Sequence, residues 1–178
     1  MKSKIIIVVL FVTLVTNSCA PMAKIIPTKT IVPRADNSFF VFKDYSCGTI
    51  PLNVLDTENG VLVHTPLEET ELITISFQLS DSEINEVFQK IMTIDFFSYP
   101  SNFVIPDKYL SVTETPISSY ELSAANGTLT NTVHWTTGGF VQSEYENANQ
   151  LWELLMFIKS IMRSHPEYKQ LPTGSMCV

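Results

Sequence analysis

The chain contains several segments in which apolar and polar residues alternate, as they do in half-buried β-strands. In residues 73–79, four apolar side chains alternate with three polar ones. Shorter apolar runs at 39–42, 52–55 and 61–63 predict further strands. Glycine-containing turns separate these runs, so neighbouring strands are expected to pair as hairpins.

The first hairpin has two readings of its register. A two-residue Asn59-Gly60 turn would pair Asp56 with Val63, which mixes charged and apolar side chains on one face. A three-residue loop would instead pair Leu55 with Val63. We expect the longer loop, because it keeps the apolar residues of the two strands together.

The second hairpin is predicted around Asn126-Gly127, a dipeptide that favours a type I′ turn. That turn pairs Tyr120 with Val133 on an apolar face and places polar pairs on the opposite face. One mismatch remains, with Leu122 opposite Asn131. The segregation of apolar and polar residues is that of a half-buried sheet.

Two segments carry apolar residues at helical spacing. The first begins at residues 80–83, where Ser80 and Glu83 have the spacing of a capping box. The second is expected to stop near His165-Pro166, because proline ends helices. The two apolar stripes are, in chain order, Ile84, Val87, Phe88, Ile91 and Met92, and then Leu151, Leu154, Leu155, Ile158, Ile161 and Met162.

The order of these elements is several strands, a helix, a hairpin and a final helix, which favours an α+β fold. We expect a mainly antiparallel sheet with two helices packed on one face, in a single domain spanning 39–178. No long βαβ alternation occurs, which argues against a Rossmann-type sheet. Three prolines punctuate residues 100–116, so this stretch is expected to be a long loop.

Residues 1–18 have the composition of a secretory signal peptide. Lys2 and Lys4 provide the positively charged start, and an apolar core runs from Ile5 to Val15. This core is too short for a transmembrane helix, which needs about 20 apolar residues. We therefore expect export of the chain and removal of its first segment.

The segment ends in Ser18-Cys19, which resembles the lipobox of bacterial lipoproteins, where a small residue precedes a cysteine that becomes the acylated N-terminus. That family usually has leucine three positions before the cysteine, where this chain has Thr16. The resemblance implies acyl chains such as palmitate on Cys19 and a lipid-anchored location on the extracytoplasmic face of the cell membrane. The alternative is an ordinary leader cleaved near Ala20 or Ala23, which would discard Cys19.

Residues 19–38 are predicted to be a tether between the lipid and the domain. They are rich in proline and threonine, with Pro21, Pro27 and Pro33 evenly spaced, and proline favours extended backbone. In polyproline geometry the tether would span roughly 60 Å. It would hold the domain clear of the bilayer.

Two further cysteines remain once Cys19 is assigned to the lipid. Cys47 and Cys177 form an even pair in a chain predicted to be exported, where disulfides persist. A Cys47–Cys177 bridge and two separate thiols are both open readings, because spacing in sequence does not fix the distance between the two Cα atoms.

Composition limits the classes of function. Lys and Arg number 11 against 18 Asp and Glu, a net charge of −7 that becomes −9 when Lys2 and Lys4 are removed with the leader. The basic surface that binds nucleic acid is therefore not expected. A hydrophobic share of 45% with only 16% charged residues argues for a folded core rather than disorder.

No catalytic motif stands out in the chain. His64, His134 and His165 are far apart, and none has the spacing of a metal motif, so no metal or cofactor is expected. His134 and Glu121, on the predicted polar face of the second hairpin, are the best candidates for a polar site. The alternative for His134 is an ordinary solvated strand residue.

Four aromatic residues follow the first predicted helix: Phe96, Phe97, Tyr99 and Phe103. They could line an apolar recognition groove or close the edge of the core, and we favour the second reading. This stretch and residues 165–172 are similar to stretches in small bacterial lipoproteins, a resemblance that implies no particular activity.

The sequence therefore predicts an exported, lipid-anchored domain that binds a protein, a peptide or another envelope component without catalysis. Two alternatives stay open. One is an envelope hydrolase with a site that the fold assembles near His134, and the other is a purely structural envelope protein.

Overall fold

The computed structural model describes residues 36–46, 51–66, 71–109, 118–136 and 145–172. The signal peptide and most of the tether lie outside these ranges, as do Cys19, Cys47 and Cys177. The leader, the lipid and the bridge therefore stay predictions.

Strands come first in the described fold, followed by a helix, three more strands and two helices. Single-turn 3₁₀ helices at Phe96–Ser98 and Asp107–Tyr109 flank the fifth strand. The other elements are β1 Phe39–Ser46, β2 Asn53–Asp56, β3 Val61–His64, β4 Ile73–Ser76, α1 Asp81–Thr93, β5 Asn102–Phe103, β6 Ser118–Asn126, β7 Leu129–Thr136, α2 Glu146–Ser164 and α3 Pro166–Lys169.

The described strands form one sheet in the order β4-β3-β2-β1-β6-β7-β5. Neighbouring strands are antiparallel, except that β5 and β7 run parallel. The α+β class and the mainly antiparallel sheet predicted from the sequence are confirmed.

One face of the sheet, which we call the inner face, is apolar over most of its area. Because side chains alternate along a strand, Phe40 and Phe42 of β1 point to the same side, and Phe42 lies between Leu55 of β2 and Leu122 of β6. These four side chains and Leu62 of β3 are fully buried. Burial of each contributes roughly 1.5–3 kcal/mol, so this row anchors the strands to the core.

Helices α1 and α2 both pack on the inner face. Val87, Phe88 and Ile91 of α1 belong to the same buried cluster as the inner-face side chains, and so do the buried residues of α2. Ile84 and Met92 lie half-buried at the margin of the α1 stripe. The helix positions predicted from spacing are confirmed, and the opposite, outer face carries neither helix.

The N-terminus of α1 is closed by the predicted capping box. Ser80 Oγ accepts a hydrogen bond from the Glu83 amide at 3.3 Å, and Glu83 Oε2 accepts one from the Ser80 amide at 2.8 Å. These contacts satisfy amides that the first turn of a helix leaves unpaired. They fix the point where the extended chain after β4 turns into α1.

The predicted register of the first hairpin is wrong. Leu55 pairs with Leu62 rather than with Val63, and Asp56 pairs with Val61 across a four-residue loop. The reason is the Asp56 carboxylate, whose Oδ1 accepts hydrogen bonds from the amides of Glu58 and Asn59, both at 3.0 Å. This side-chain turn needs one more residue than the expected loop.

The predicted register of the second hairpin is also wrong, by two residues, although the apolar and polar faces are as expected. Asn126 ends β6 opposite Leu129, so the turn is Gly127-Thr128 with φ of 62° at Gly127, the glycine position of a type II′ turn. Ser38 Oγ donates to Asn126 Oδ1 at 2.6 Å, which holds Asn126 beside β1. Leu122 then pairs with Val133, and the expected mismatch disappears.

The expected long loop at 100–116 is partly structured. It contains β5 and the second 3₁₀ helix, and β5 pairs with β7 through Phe103 and Trp135. Two residues in a parallel strand leave no readable alternation in the sequence.

In the part of the chain that the structure describes, no helix is long and apolar enough to cross a membrane.

Replacement of Ser80 by Ala should lower the free energy of unfolding by about 1 kcal/mol, because the N-cap acceptor is lost. Ser82→Ala is the matched control, since the exposed Ser82 hydroxyl makes only a 3.3 Å contact with Glu86. Urea unfolding followed by circular dichroism should place the control within about 0.5 kcal/mol of the wild type. Equal effects of the two substitutions would contradict the capping role of Ser80.

Candidate functional site

The two predicted polar-site residues meet on the outer face of the sheet. Glu121 of β6 lies opposite Lys43 of β1 and His134 of β7. Its carboxylate contacts Lys43 Nζ at 2.7 Å through Oε1 and His134 Nδ1 at 3.0 Å through Oε2. We call these three residues the outer triad. The observed register creates it, because the predicted register placed His134 opposite Ser119, two residues from Glu121.

The outer triad is accessible, since the side chains of Lys43 and His134 are 34% and 47% exposed. The hydrogen bond to Glu121 raises the pKa of Lys43 although partial burial acts against the charge. Ion pairs at this exposure contribute roughly 0–1 kcal/mol to stability. The triad therefore adds little to the fold and remains available for contact with another molecule.

Chemically, the outer triad is a histidine oriented by a carboxylate. With Nδ1 directed at Glu121, the second ring nitrogen of His134 points away from the carboxylate, and the Tyr45 ring lies 5.9 Å from the imidazole. Such a ring can accept or donate a proton. Among the described residues, no three His, Cys, Asp or Glu side chains lie close enough together to hold a metal ion.

A second polar cluster, which sequence reasoning missed, lies on the inner face. Asp44, Asn53 and His64 are consecutive cross-strand neighbours in β1, β2 and β3, and each is at most 3% exposed. We call them the inner row. They occupy one end of a face that is apolar over most of its area, and because all three are buried, each needs a polar partner.

The partner of Asp44 comes from α2. Lys159 Nζ lies 2.7 Å from Asp44 Oδ2 and 5.4 Å from the centre of the Tyr120 ring. The Asp44 side chain is 1% exposed and that of Lys159 is 16% exposed. Loss of one partner of such a buried pair costs about 3–5 kcal/mol, because the remaining charge loses its opposite charge. The pair therefore fixes α2 at one position along the sheet.

The partners of His64 come from β2 and from the C-terminal segment. Nδ1 lies 2.9 Å from Asn53 Oδ1, and Nε2 lies 2.9 Å from the carbonyl oxygen of Pro172. With these two contacts the imidazole connects β2, β3 and the chain after α3. His64 is thus a structural histidine that holds Pro172, just after α3, against the sheet.

His165 also has a structural role, where the start of α1 meets the end of α2. Its Nε2 lies 2.9 Å from Glu83 Oε1, and its ring lies 4.7 Å from the ring of Phe77. Burial opposes ionisation of Glu83, but hydrogen bonds from Ser80 and His165 outweigh it and lower the pKa of the carboxyl. The contact joins the start of α1 to the end of α2.

The four predicted recognition aromatics form a cluster at the β5 edge. Phe96, Tyr99 and Phe103 are buried, and Phe97 is half-buried. The Tyr99 ring lies 6.3 Å from Phe96 and 5.5 Å from Phe103. Asn131 Nδ2 donates to the carbonyls of Phe96 and Tyr99, both at 2.9 Å. Most of this aromatic surface is thus used inside the fold.

Tyr99 also connects this cluster to α2. Its hydroxyl lies 3.0 Å from Gln150 Oε1 and 3.3 Å from the carbonyl oxygen of Asn147. Burial raises the pKa of Tyr99 to about 12, with Tyr145, Glu146 and Asp95 acting in the same direction. The hydroxyl is therefore a neutral donor to the first turns of α2.

In comparisons with known proteins, the chain matches no protein-family profile and has no significant match among curated proteins.

Ionisation of Tyr99 should occur only near pH 12, whereas an unfolded tyrosine titrates near 10. Because the fold favours the neutral phenol, its contribution to stability is present below about pH 10 and is lost as the pH rises toward 12. Near-ultraviolet absorbance should show the same number of ionised tyrosines in wild type and Tyr99→Phe at about pH 10. Loss of a titrating tyrosine at that pH in the variant would contradict this assignment.

Proposed function

We propose that this protein is an exported lipoprotein whose α+β domain binds a protein or peptide partner at the extracytoplasmic face of the cell membrane. The observation that carries the proposal is the one-sided sheet. Both long helices lie on the inner face, and the outer-face side chains of β1, β6 and β7, apart from the buried Ala125, are half-buried or exposed wherever their burial is described. A sheet face that no described helix covers offers a wide, rigid surface to a partner.

The chemistry of the outer face supports binding rather than a role in folding. It carries polar pairs between β6 and β7: besides the contacts of the outer triad, the hydroxyls of Ser123 and Thr132 lie 2.9 Å apart. Such pairs contribute little to stability individually. They present hydrogen-bonding groups and both signs of charge in a fixed arrangement, which favours specific recognition.

The lipid anchor rests on the leader and on Cys19. Substitution of Cys19 by Ser should release the protein from the membrane fraction, because no acyl chain can be attached at that position. Fractionation of cells that express each form, with mass spectrometry of the purified protein, measures this. Cys47→Ser is the matched control and should stay with the membrane.

If Cys19→Ser fractionates with the membrane and its mass shows no loss of acyl chains, the anchor proposal is wrong. The proposed binding role of the domain would then be supported only by the outer face of the sheet.

A second candidate function, hydrolysis in the envelope, is favoured by one observation, the 3.0 Å contact between His134 and Glu121. A histidine held by a carboxylate is the arrangement of a general base. If this function is correct, purified protein should hydrolyse p-nitrophenyl acetate, and the rate should fall in both His134→Gln and Glu121→Gln. Wild-type rates in both variants would exclude the outer triad as a hydrolytic site.

A further inference from the structure

The sheet has two edges, and they differ in kind. At one edge β5 has only two residues and lies between Pro100 and Pro106. At the other edge, β3 is the one strand among the described residues that pairs with β4. Residues 72–79, which contain β4, have neither proline nor charge. Proline, lysine and bulges are the usual means of protecting an edge strand from further pairing. β4 contains neither proline nor lysine.

The backbone of β4 presents free hydrogen-bonding groups at this edge. The amide of Phe77 donates to the carbonyl of Gly60 at 2.8 Å, which identifies this pair as hydrogen-bonded. Hydrogen-bonded pairs alternate along an antiparallel ladder, so Ile73 and Ile75 direct their backbone groups to β3. The amides and carbonyls of Thr74 and Ser76 therefore point away from the sheet, where no described strand lies.

The side chains of β4 define the neighbour that fits. Ile75 packs against the core from the inner face and is only half-buried, while Thr74 and Ser76 on the outer face are exposed. Leu72, just before the strand, is 58% exposed. An added strand would cover Ile73 and Ile75 if its inner-face residues were apolar and its outer-face residues polar.

Charge further restricts the neighbour. The protein has a net charge of −7, and exposed acidic residues, Glu71 and Asp81, lie before and after the extended segment. A partner strand with basic ends would be attracted, whereas an acidic one would be repelled.

We propose that the β4 edge is a strand-addition site that binds an extended peptide segment of alternating apolar and polar residues with basic ends. The inference rests on the proposed function, since it names the partner class of the binding domain. Main-chain hydrogen bonds to Thr74 and Ser76 supply the affinity, and the inner-face positions supply the selectivity. Because β4 has only four residues, the buried area is small and binding is transient.

The test uses the purified protein and the synthetic peptide acetyl-Lys-Thr-Val-Thr-Val-Thr-Lys-amide, with amide exchange followed residue by residue by NMR. At a peptide concentration of about ten times its Kd, exchange at Thr74 and Ser76 should slow by about tenfold. The same peptide N-methylated at alternate backbone nitrogens cannot form the ladder and should have no effect. Unchanged exchange at both amides, at the highest soluble concentration of the unmodified peptide, would overturn the proposal.

Substitution of Thr74 supplies the matched protein variants. Thr74→Pro removes an outward amide that β3 does not use, which an edge strand tolerates, and should weaken peptide binding by about tenfold or more. Thr74→Val retains the amide and should bind as the wild type does. Wild-type affinity in a folded Thr74→Pro would contradict strand addition. If that variant fails to fold, the N-methylated peptide decides the question.

This experiment does not involve Cys19 or a membrane, so its failure can be distinguished from failure of the lipoprotein proposal. If Cys19→Ser releases the protein from membranes but the protein does not bind the peptide, the lipid-anchored domain is supported and the β4 strand-addition site is rejected.

Discussion

The ion pair between Asp44 and Lys159 is the contact on which the arrangement of sheet and helices depends. The apolar core sets no exact position for α2, because aliphatic side chains pack acceptably in several registers. A carboxylate that is 1% exposed, facing an ammonium group at 2.7 Å, would lose this contact on such a displacement. Apolar contacts hold α2 against the inner face of the sheet, and the ion pair selects its position there.

The position of α2 in turn determines which surfaces of the sheet are left for function. With both long helices on the inner face, neither of them covers the outer triad or the β4 edge. His64 connects Pro172 to the sheet, and His165 connects the start of α1 to the end of α2, so both are committed to structure. His134 is the histidine whose surroundings suit contact with another molecule.

The sequence was most informative where structure depends on neighbours along the chain. Ser80 and Glu83 are three residues apart, so the start of α1 could be predicted, and the stripe of α2 follows from spacing alone. The hairpin registers could not be predicted, because they depend on the loop contacts of Asp56 and on the contact between Ser38 and Asn126, which are 88 positions apart.

The inner row shows the same limit. Asp44, Asn53 and His64 each stand at a position of their strand where the alternation places an inner-face side chain. A polar residue at such a position was a usable sign of a buried polar contact. Only the strand order and register, however, show that the three are neighbours and that Lys159 reaches them. The outer triad was predicted as a region, but its third member, Lys43, lies on a strand whose pairing with β6 no local pattern indicated.

A double-mutant cycle between Asp44 and Lys159, with Asp44→Asn, Lys159→Met and the combined variant, tests this account most directly. The free energies of unfolding from urea titration should give a coupling energy of about 2 kcal/mol, because either single substitution breaks the ion pair while leaving one charge of it in place, and the combined variant removes both charges. A coupling energy below about 0.5 kcal/mol would contradict the claim that this ion pair positions α2 on the sheet.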